Sequence, residues 1–399
     1  MRAGWQTKLL AEVLQETETV NPQQSPQEEF DYVDVSSVSN ATYEIEATQR
    51  LKGIDAPSRA RKLVRMNDVL FATIRPTLQR IAIVPEHLDG QVCSTGYFVL
   101  RPKPEIDHRF LFYSLFTEDF TGQMEALQKG ASYPAVTDGD VKGQAITFPP
   151  LPEQHRIVAI LDEAFDGIAT AKANAEKNLQ NARALFESYL QSVFTERGEG
   201  WVEKSLEEVV DAACSLSYGI VQPGNDFPMG LPVVRPTDLT AKRITLDGLK
   251  RIDPKLADGY KRTKLRGSEL LLCVRGSTGV VAVTSPELAG ANVTRGIVPI
   301  AFEPSLLNQD FGYFLMTSEA VQSQIRAKTY GAALMQINIG DLRKIAVSFP
   351  SLKEQKVMTI KLEELSEETQ RLESLYQQKL SALDVLKKSL LYQAFSGTL

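Results

Sequence analysis

Apolar positions along this chain follow two rhythms. Short, β-branched-rich runs, Asp68 to Ala72 with Ile81 to Val84 and Leu270 to Val274 with Val280 to Val283, predict buried strands. Phe110 to Phe120 and its counterpart Phe311 to Val321 predict short helices. After residues 150 and 350 the rhythm lengthens. Ile157, Ile160, Leu161, Ala164, Phe165, Ile168, Leu179, Ala182, Leu185, Tyr189, Val193 and Phe194 recur at spacings of three and four, as do Leu365, Leu372, Tyr376, Leu380, Leu383, Leu386 and Leu390. Each predicts a long helix, the first with Pro152 in its opening turn and the second opened by the capping-box spacing Ser351-Leu352-Lys353-Glu354. About 40 helical residues make a rod of roughly 60 Å, and one apolar stripe of that length calls for a mate. The other long helix is the expected mate, the alternative being that each merely covers its own neighbouring body.

The chain is a repeat. Gly130 to Gln154 matches Gly331 to Gln355 at an offset of 201 without a gap, with ten of 25 positions identical. The identities include Gly130 with Gly331, Asp140 with Asp341, Phe148 with Phe349, and Glu153-Gln154 with Glu354-Gln355; Leu161, Leu190 and Phe194 continue the match at Leu362, Leu391 and Phe395. Gly4-Trp5, Lys8 and Glu12-Val13 correspond to Gly200-Trp201, Lys204 and Glu208-Val209. The expected organisation is a first body over 1–150, a long helix over 151–198, a second body over 199–350 and a second long helix over 351–399. The fold class is mixed, α/β in the α+β sense, with an internal pseudo-two-fold repeat.

At 399 residues two domains are expected, and 43% hydrophobic with 24% charged residues is ordinary globular usage. The opening Met1-Arg2-Ala3-Gly4-Trp5 lacks the apolar stretch of a signal peptide, and no run of about 18 apolar residues is found, so a cytoplasmic protein with no membrane partner is expected. Cys93, Cys214 and Cys273 are far apart, which reads as three reduced packing cysteines rather than a disulfide or zinc framework.

A net charge of −6 argues against a generic nucleic-acid binder, but the local distribution does not. Arg50, Lys52, Arg59, Arg61, Lys62 and Arg65 form a basic stretch with Asp55 as its only acid. Lys242, Arg243, Lys250, Arg251, Lys255, Lys261, Arg262, Lys264 and Arg266 form another at the corresponding place, and Arg50, Arg61 and Arg65 fall on Arg251, Arg262 and Arg266 at the same offset of 201. Arginine and lysine neutralise phosphates, and arginine also reads guanine edges with a bidentate fork. The competing reading is a solvated basic face. Arg75-Pro76-Thr77 and Arg275-Gly276-Ser277-Thr278, each following an apolar strand, are candidate reading loops, with ordinary turns as the rival. A similar loop runs from Tyr218-Gly219 to Gln222-Pro223-Gly224.

Catalytic patterns are missing. His87, His108 and His155 have neither metal spacing nor a neighbouring nucleophile motif, and no phosphate-cradling Gly-x-x-x-x-Gly-Lys occurs. Asp253-Pro254-Lys255 with Asp247 upstream is the nearest imitation of a nuclease site. No catalytic residue and no metal ligand is assigned.

With these residues assembled, the chain resembles the specificity subunits of type I restriction-modification enzymes. The resemblance rests on Phe148-Pro149-Pro150-Leu151-Pro152-Glu153-Gln154 before a long helix, its degraded copy from Phe349 to Gln355, and the ending Leu391 to Gly397. Pro57 to Arg61, Asp68-Val69-Leu70, Cys93 to Gly96 and Tyr218 to Gly224 add to it, and Lys353 departs from it where a proline is expected. It implies two target-recognition domains, each reading half of a split, asymmetric double-stranded DNA sequence, separated by two long antiparallel helices. It further implies two docked methyltransferase subunits using S-adenosylmethionine and restriction motor-nuclease subunits using ATP and Mg2+, with no cofactor in this chain. The rivals are a modification-only or type IIB-like system, and a helical scaffold that binds no DNA.

Overall fold

The structure, a computed structural model, describes residues 4–214, 216–332 and 334–399. Met1, Arg2 and Ala3 of the N-terminal reading, and Ala333 of the repeat, lie outside the described residues. The chain divides into two compact units: residues 1–176 with 377–399, and residues 177–376.

In the first unit, the apolar run after Asp68 forms the strand Val69–Ala72 at the centre of a three-stranded sheet, antiparallel to Ile81–Ile83 on one side and Tyr97–Leu100 on the other. Strand alternation sends its side chains to two different cores. Val69 and Phe71 join Phe98, Phe110, Phe148 and Leu161 in a cluster with the helices, whereas Leu70 and Ala72 join Val33, Val64, Cys93 and Tyr97. This second cluster involves a four-stranded sheet ordered Gln49–Lys52, Glu29–Val33, Val92–Ser94, Ala60–Leu63. A two-stranded ribbon pairs Gln6–Leu9 with Ala145–Phe148.

The second unit repeats the plan. Leu270–Cys273 is antiparallel to both Val281–Thr284 and Ile297–Ile300, with Leu270 and Leu272 in the cluster with the helices and Leu271 and Cys273 in the other. Its second sheet orders Lys250–Ile252, Leu231–Val234 and Asn292–Val293, and its ribbon pairs Val202–Ser205 with Ala346–Phe349. All three cysteines are buried free thiols.

The helices expected over Phe110 to Phe120 and Phe311 to Val321 are each broken in two. The first becomes His108–Ser114 and Glu118–Leu127, because Thr117 turns extended and its hydroxyl caps the Phe120 N–H. The second becomes Gln309–Thr317 and Glu319–Lys328, parted by Ser318, which is extended and bonds back to the Leu315 carbonyl.

Both tails are continuous helices, Leu151–Thr195 and Leu352–Ser396. Within the first unit they run antiparallel: Arg156 reaches the Leu399 carbonyl, Lys387 lies over Phe165, and Lys172 pairs with Asp384. Within the second unit Arg183 pairs with Glu373, and Phe194 and Leu362 enter one core. Each body is therefore covered by parts of both helices, which agrees with the expected pairing of the two long helices rather than with the alternative that each tail covers only its own neighbouring body. Leu185 and Leu386, counted on the stripes, are instead exposed, and the small residues Ala175 and Ala182 are buried.

Candidate nucleic-acid interface

The repeated motif before each long helix has a packing cause. Gln154 is fully buried; its amide oxygen accepts from the Asp107 N–H at 2.8 Å, and its nitrogen donates to the Glu105 and Pro149 carbonyls at 2.9 and 2.8 Å. Gln355 does the same with Asn308 N–H and the Leu306 and Pro350 carbonyls, at 2.8, 2.9 and 2.8 Å. One amide thus satisfies three backbone groups that burial would otherwise leave unpaired. Asp140 and Asp341, also identical across the repeat, are capping partners of Thr137 and Asn338 at the start of the helices Asp138–Lys142 and Ile339–Arg343.

From this anchored region a hairpin loop meets the end of the central strand in each unit. In the first, Val136 N–H donates to the Thr73 carbonyl at 2.9 Å and Arg75 N–H to the Pro134 carbonyl at 2.7 Å, while Lys129 and Ala135 exchange two bonds of 2.9 Å. In the second, Ile337 N–H donates to the Val274 carbonyl at 3.0 Å, Gly276 N–H to the Met335 carbonyl at 2.8 Å, and Tyr330 and Gln336 exchange two bonds of 2.9 Å. Gly130 and Gly331 turn the two hairpins at φ +106° and +122°, where a Cβ would stand 2.9 Å from the Tyr133 carbonyl oxygen and 2.3 Å from that of Leu334. Only glycine fits such a place without a shift. The frames are alike but their tips differ. Tyr133 is 72% exposed, while Tyr330, Leu334 and Met335 are exposed in the other hairpin.

This register refines the pairing of the candidate reading loops. Arg75 occupies the place of Gly276, and Arg275 the place of Ile74. Arg75 holds a left-handed backbone, φ +50°, where the second unit has a glycine at φ +88°. Its guanidinium lies 5.1 Å from the Tyr133 ring centroid and 3.5 Å from the Ser132 carbonyl. Thr77 is exposed in the same turn. Arg275 is half-buried and Ser277 exposed. Tyr218 is exposed and its hydroxyl donates to the Ile337 carbonyl at 3.4 Å, which joins its loop to the second hairpin. Arg59 also reaches this end of the first unit, its carbonyl accepting from Thr95 N–H. In the second unit Arg295, exposed, takes the place of Thr95, its N–H donating to the Ile220 carbonyl as that of Thr95 does to Arg59, and it was not singled out from sequence because it stands alone between apolar strands.

The other sequence candidates scatter. Arg50, exposed on its strand, is held by Glu29 and Asp31 at 3.4 and 3.0 Å; Lys52 is exposed nearby. Arg61 folds back on the Ala60 carbonyl. The Lys62 ammonium is enclosed, 2.7 Å from Asp138 and 2.6 Å from the Tyr97 carbonyl. Arg65 lies at the opposite end of Val69–Ala72 from Arg75, near Asp89 at 3.9 Å, and Arg266 takes the matching place, paired with Asp211 at 3.0 Å. Lys242 lies over the Tyr313 and Phe314 rings at 5.0 and 4.9 Å and beside Glu363, directed at helices. Arg243 reaches the Thr284 carbonyl and Arg251 the Gly230 carbonyl. Lys250 is half-buried near Asp226, and Lys255 is exposed. Lys261, Arg262 and Lys264 are exposed around a turn fixed by Thr263 on Asn292 at 2.7 Å. The structure thus brings Arg59, Arg75 and Thr77 to one loop end, and Tyr218, Arg275 and Ser277 to its counterpart, but not the basic stretches as single patches.

Elsewhere, burial pushes the Cys93 thiol up to about 12 and raises Cys214 and Cys273 as well. Burial lowers His108, against the opposing charge of Asp107. Among the described residues, no group of three or more His, Cys, Asp or Glu is gathered around a metal-sized site, and no helix is long and apolar enough to cross a membrane.

Two similar mixed bodies, each offering a loop end on a common frame with different side chains, define a duplicated recognition module. Residues 3–180 and 198–381 each match the type I restriction modification DNA specificity domain, and the chain belongs to that family. It is a type I restriction-modification specificity subunit with two target-recognition domains, a DNA-recognition component. It is 23% identical over 340 residues to the type I restriction enzyme EcoBI specificity subunit of Escherichia coli, covering 79% of this chain and 70% of that protein. A chain solved in work on the complex assembly and conformational transition of the type I R-M system is 29% identical, with a TM-score of 0.86 and coverage of 100% and 99%. The HsdS subunit from Thermoanaerobacter tengcongensis is 28% identical, with a TM-score of 0.69 and coverage of 100% and 98%.

Proposed function

We propose that each unit reads one half of a bipartite, asymmetric double-stranded DNA site, and that this chain assembles with two methyltransferase subunits and, through them, with restriction motor-nuclease subunits. Catalysis belongs to those partners, which bind S-adenosylmethionine, ATP and Mg2+; this chain holds no cofactor and works in the cytoplasm. The observation that carries the reading is the pair of hairpin frames built from the same hydrogen bonds around Gly130 and Gly331 but tipped by different side chains. Common frames present loops alike, and unlike tips read unlike sequences. Docking of partners is supported by apolar side chains left exposed on the second long helix: Val385 and Tyr392 in the first unit, Val357 and Ile360 in the second.

The test is to co-express the chain with its methyltransferase partner and sequence the modified sites. The expected result is adenine methylation within two unlike half-sites separated by unread base pairs. A palindromic or continuous motif overturns the assignment of one half-site to each unit, and retained methylation without this chain overturns the assembly.

A further inference from the structure

We propose that Arg75 and Tyr133 act together as a specificity-determining pair in the first unit, with the Arg75 guanidinium contacting a guanine edge and Tyr133 as its positioning residue. The inference rests on the DNA-reading function proposed above and adds a role for a hairpin that none of the basic stretches includes. Three observations carry it. The corresponding place in the second unit is Gly276, so the frame itself requires no side chain there, yet the first unit keeps an arginine in a left-handed conformation that favours glycine. A second non-glycine residue, Gln79 at φ +52°, closes the same turn, so the loop is held in an unfavourable geometry at both ends. Finally, Arg75 differs from Arg50, Arg65 and Arg101 in having no carboxylate partner among the described residues: its guanidinium meets the Tyr133 ring and makes a long approach to the Ser132 carbonyl.

An arginine stacked on an exposed ring keeps its donors in the guanidinium plane open, which suits the paired O6 and N7 acceptors of guanine in the major groove. A phosphate contact needs charge but no such orientation. In the second unit Leu334 and Met335 stand at the tip instead, so the two units would differ at this base pair.

The test compares wild-type chain with Arg75→Lys, Tyr133→Ala and Tyr133→Phe in the complex with the methyltransferase, sequencing sites modified in a random library and titrating binding against salt. Arg75→Lys keeps the charge and loses the fork; it is expected to relax a guanine preference roughly ten- to a hundredfold at one position of one half-site. The other half-site and the salt slope should remain unchanged. Tyr133→Ala should relax the same position and Tyr133→Phe should restore it. An unchanged motif in Arg75→Lys with full modification overturns the proposal. So does uniform weakening across all sequences, which would make Arg75 a phosphate contact. A wild-type complex that yields no motif would instead overturn the DNA-reading function itself.

Discussion

Gln154 and Gln355 were visible in the sequence as identities, but their purpose was not, because the three backbone groups each serves come from segments about 5 and about 50 residues away in the chain. Replacing Gln154 by alanine strands the Asp107 N–H and the Glu105 and Pro149 carbonyls around a buried site. Leaving buried partners unsatisfied costs about 1–3 kcal/mol each, and partial relaxation offsets some of it, so a loss of about 3 kcal/mol is expected. Hydrogen exchange read peptide by peptide checks this. Gln154→Ala should lower protection in the first unit and Gln355→Ala in the second, and equal loss in both units from either change would refute the local account. At this same scale the charge reading was least legible. Lys62 and Lys242 sit in basic stretches, yet Asp138 and the Tyr97 carbonyl enclose one and aromatic rings hold the other, and these partners lie 76 and 35 residues away for Lys62 and on distant helices for Lys242.

Elements were more legible than residues. The strands after Asp68 and Glu269 form close to where their apolar runs stand, because alternation and burial on both faces act within four residues. Helix breaks at Thr117 and Ser318 were not seen, since a hydroxyl in an apolar run signals a cap only when the next turn has another surface to pack on. The side-chain N-caps at the start of Asp138–Lys142 and Ile339–Arg343 allow an internal control. Asn338 accepts from Asp341 N–H at 2.8 Å, the part that Thr137 plays in the first unit at 3.1 Å. Asn338→Ala should therefore cost about 1 kcal/mol in urea denaturation, whereas Asn338→Thr should cost only a few tenths, because threonine already serves at the equivalent cap. Equal losses for both variants would show that the amide's packing, not the cap, carries the stability.

For the molecule as a whole, the repeat and the long helices followed from sequence periodicity, but the membership of the last segment did not. Residues 377–399 belong with the first unit, where Leu391 and Ala394 are buried in its main cluster and Phe395 lies 4.9 Å from Phe110. An offset search aligns that segment with the end of the first helix, and so cannot say which body it covers. The consequence can be tested by ending the chain at Tyr376. This truncation uncovers Phe110 and removes Leu391, Ala394 and Phe395 from the cluster, with full burial of a large apolar side chain contributing about 1.5–3 kcal/mol. Two such side chains and their helix turns amount to much of the 5–15 kcal/mol that typically holds a domain folded. The second unit, residues 177–376, keeps every residue of its own core, including Phe194 and Leu362. Limited proteolysis and hydrogen exchange of the truncated chain should therefore show Val69–Ala72 and Tyr97–Leu100 losing protection while Leu270–Cys273 and Ile297–Ile300 keep it. If both sets of strands were lost together, the chain would be one cooperative unit. If neither were lost, the C-terminal segment would be a cover rather than part of the first core.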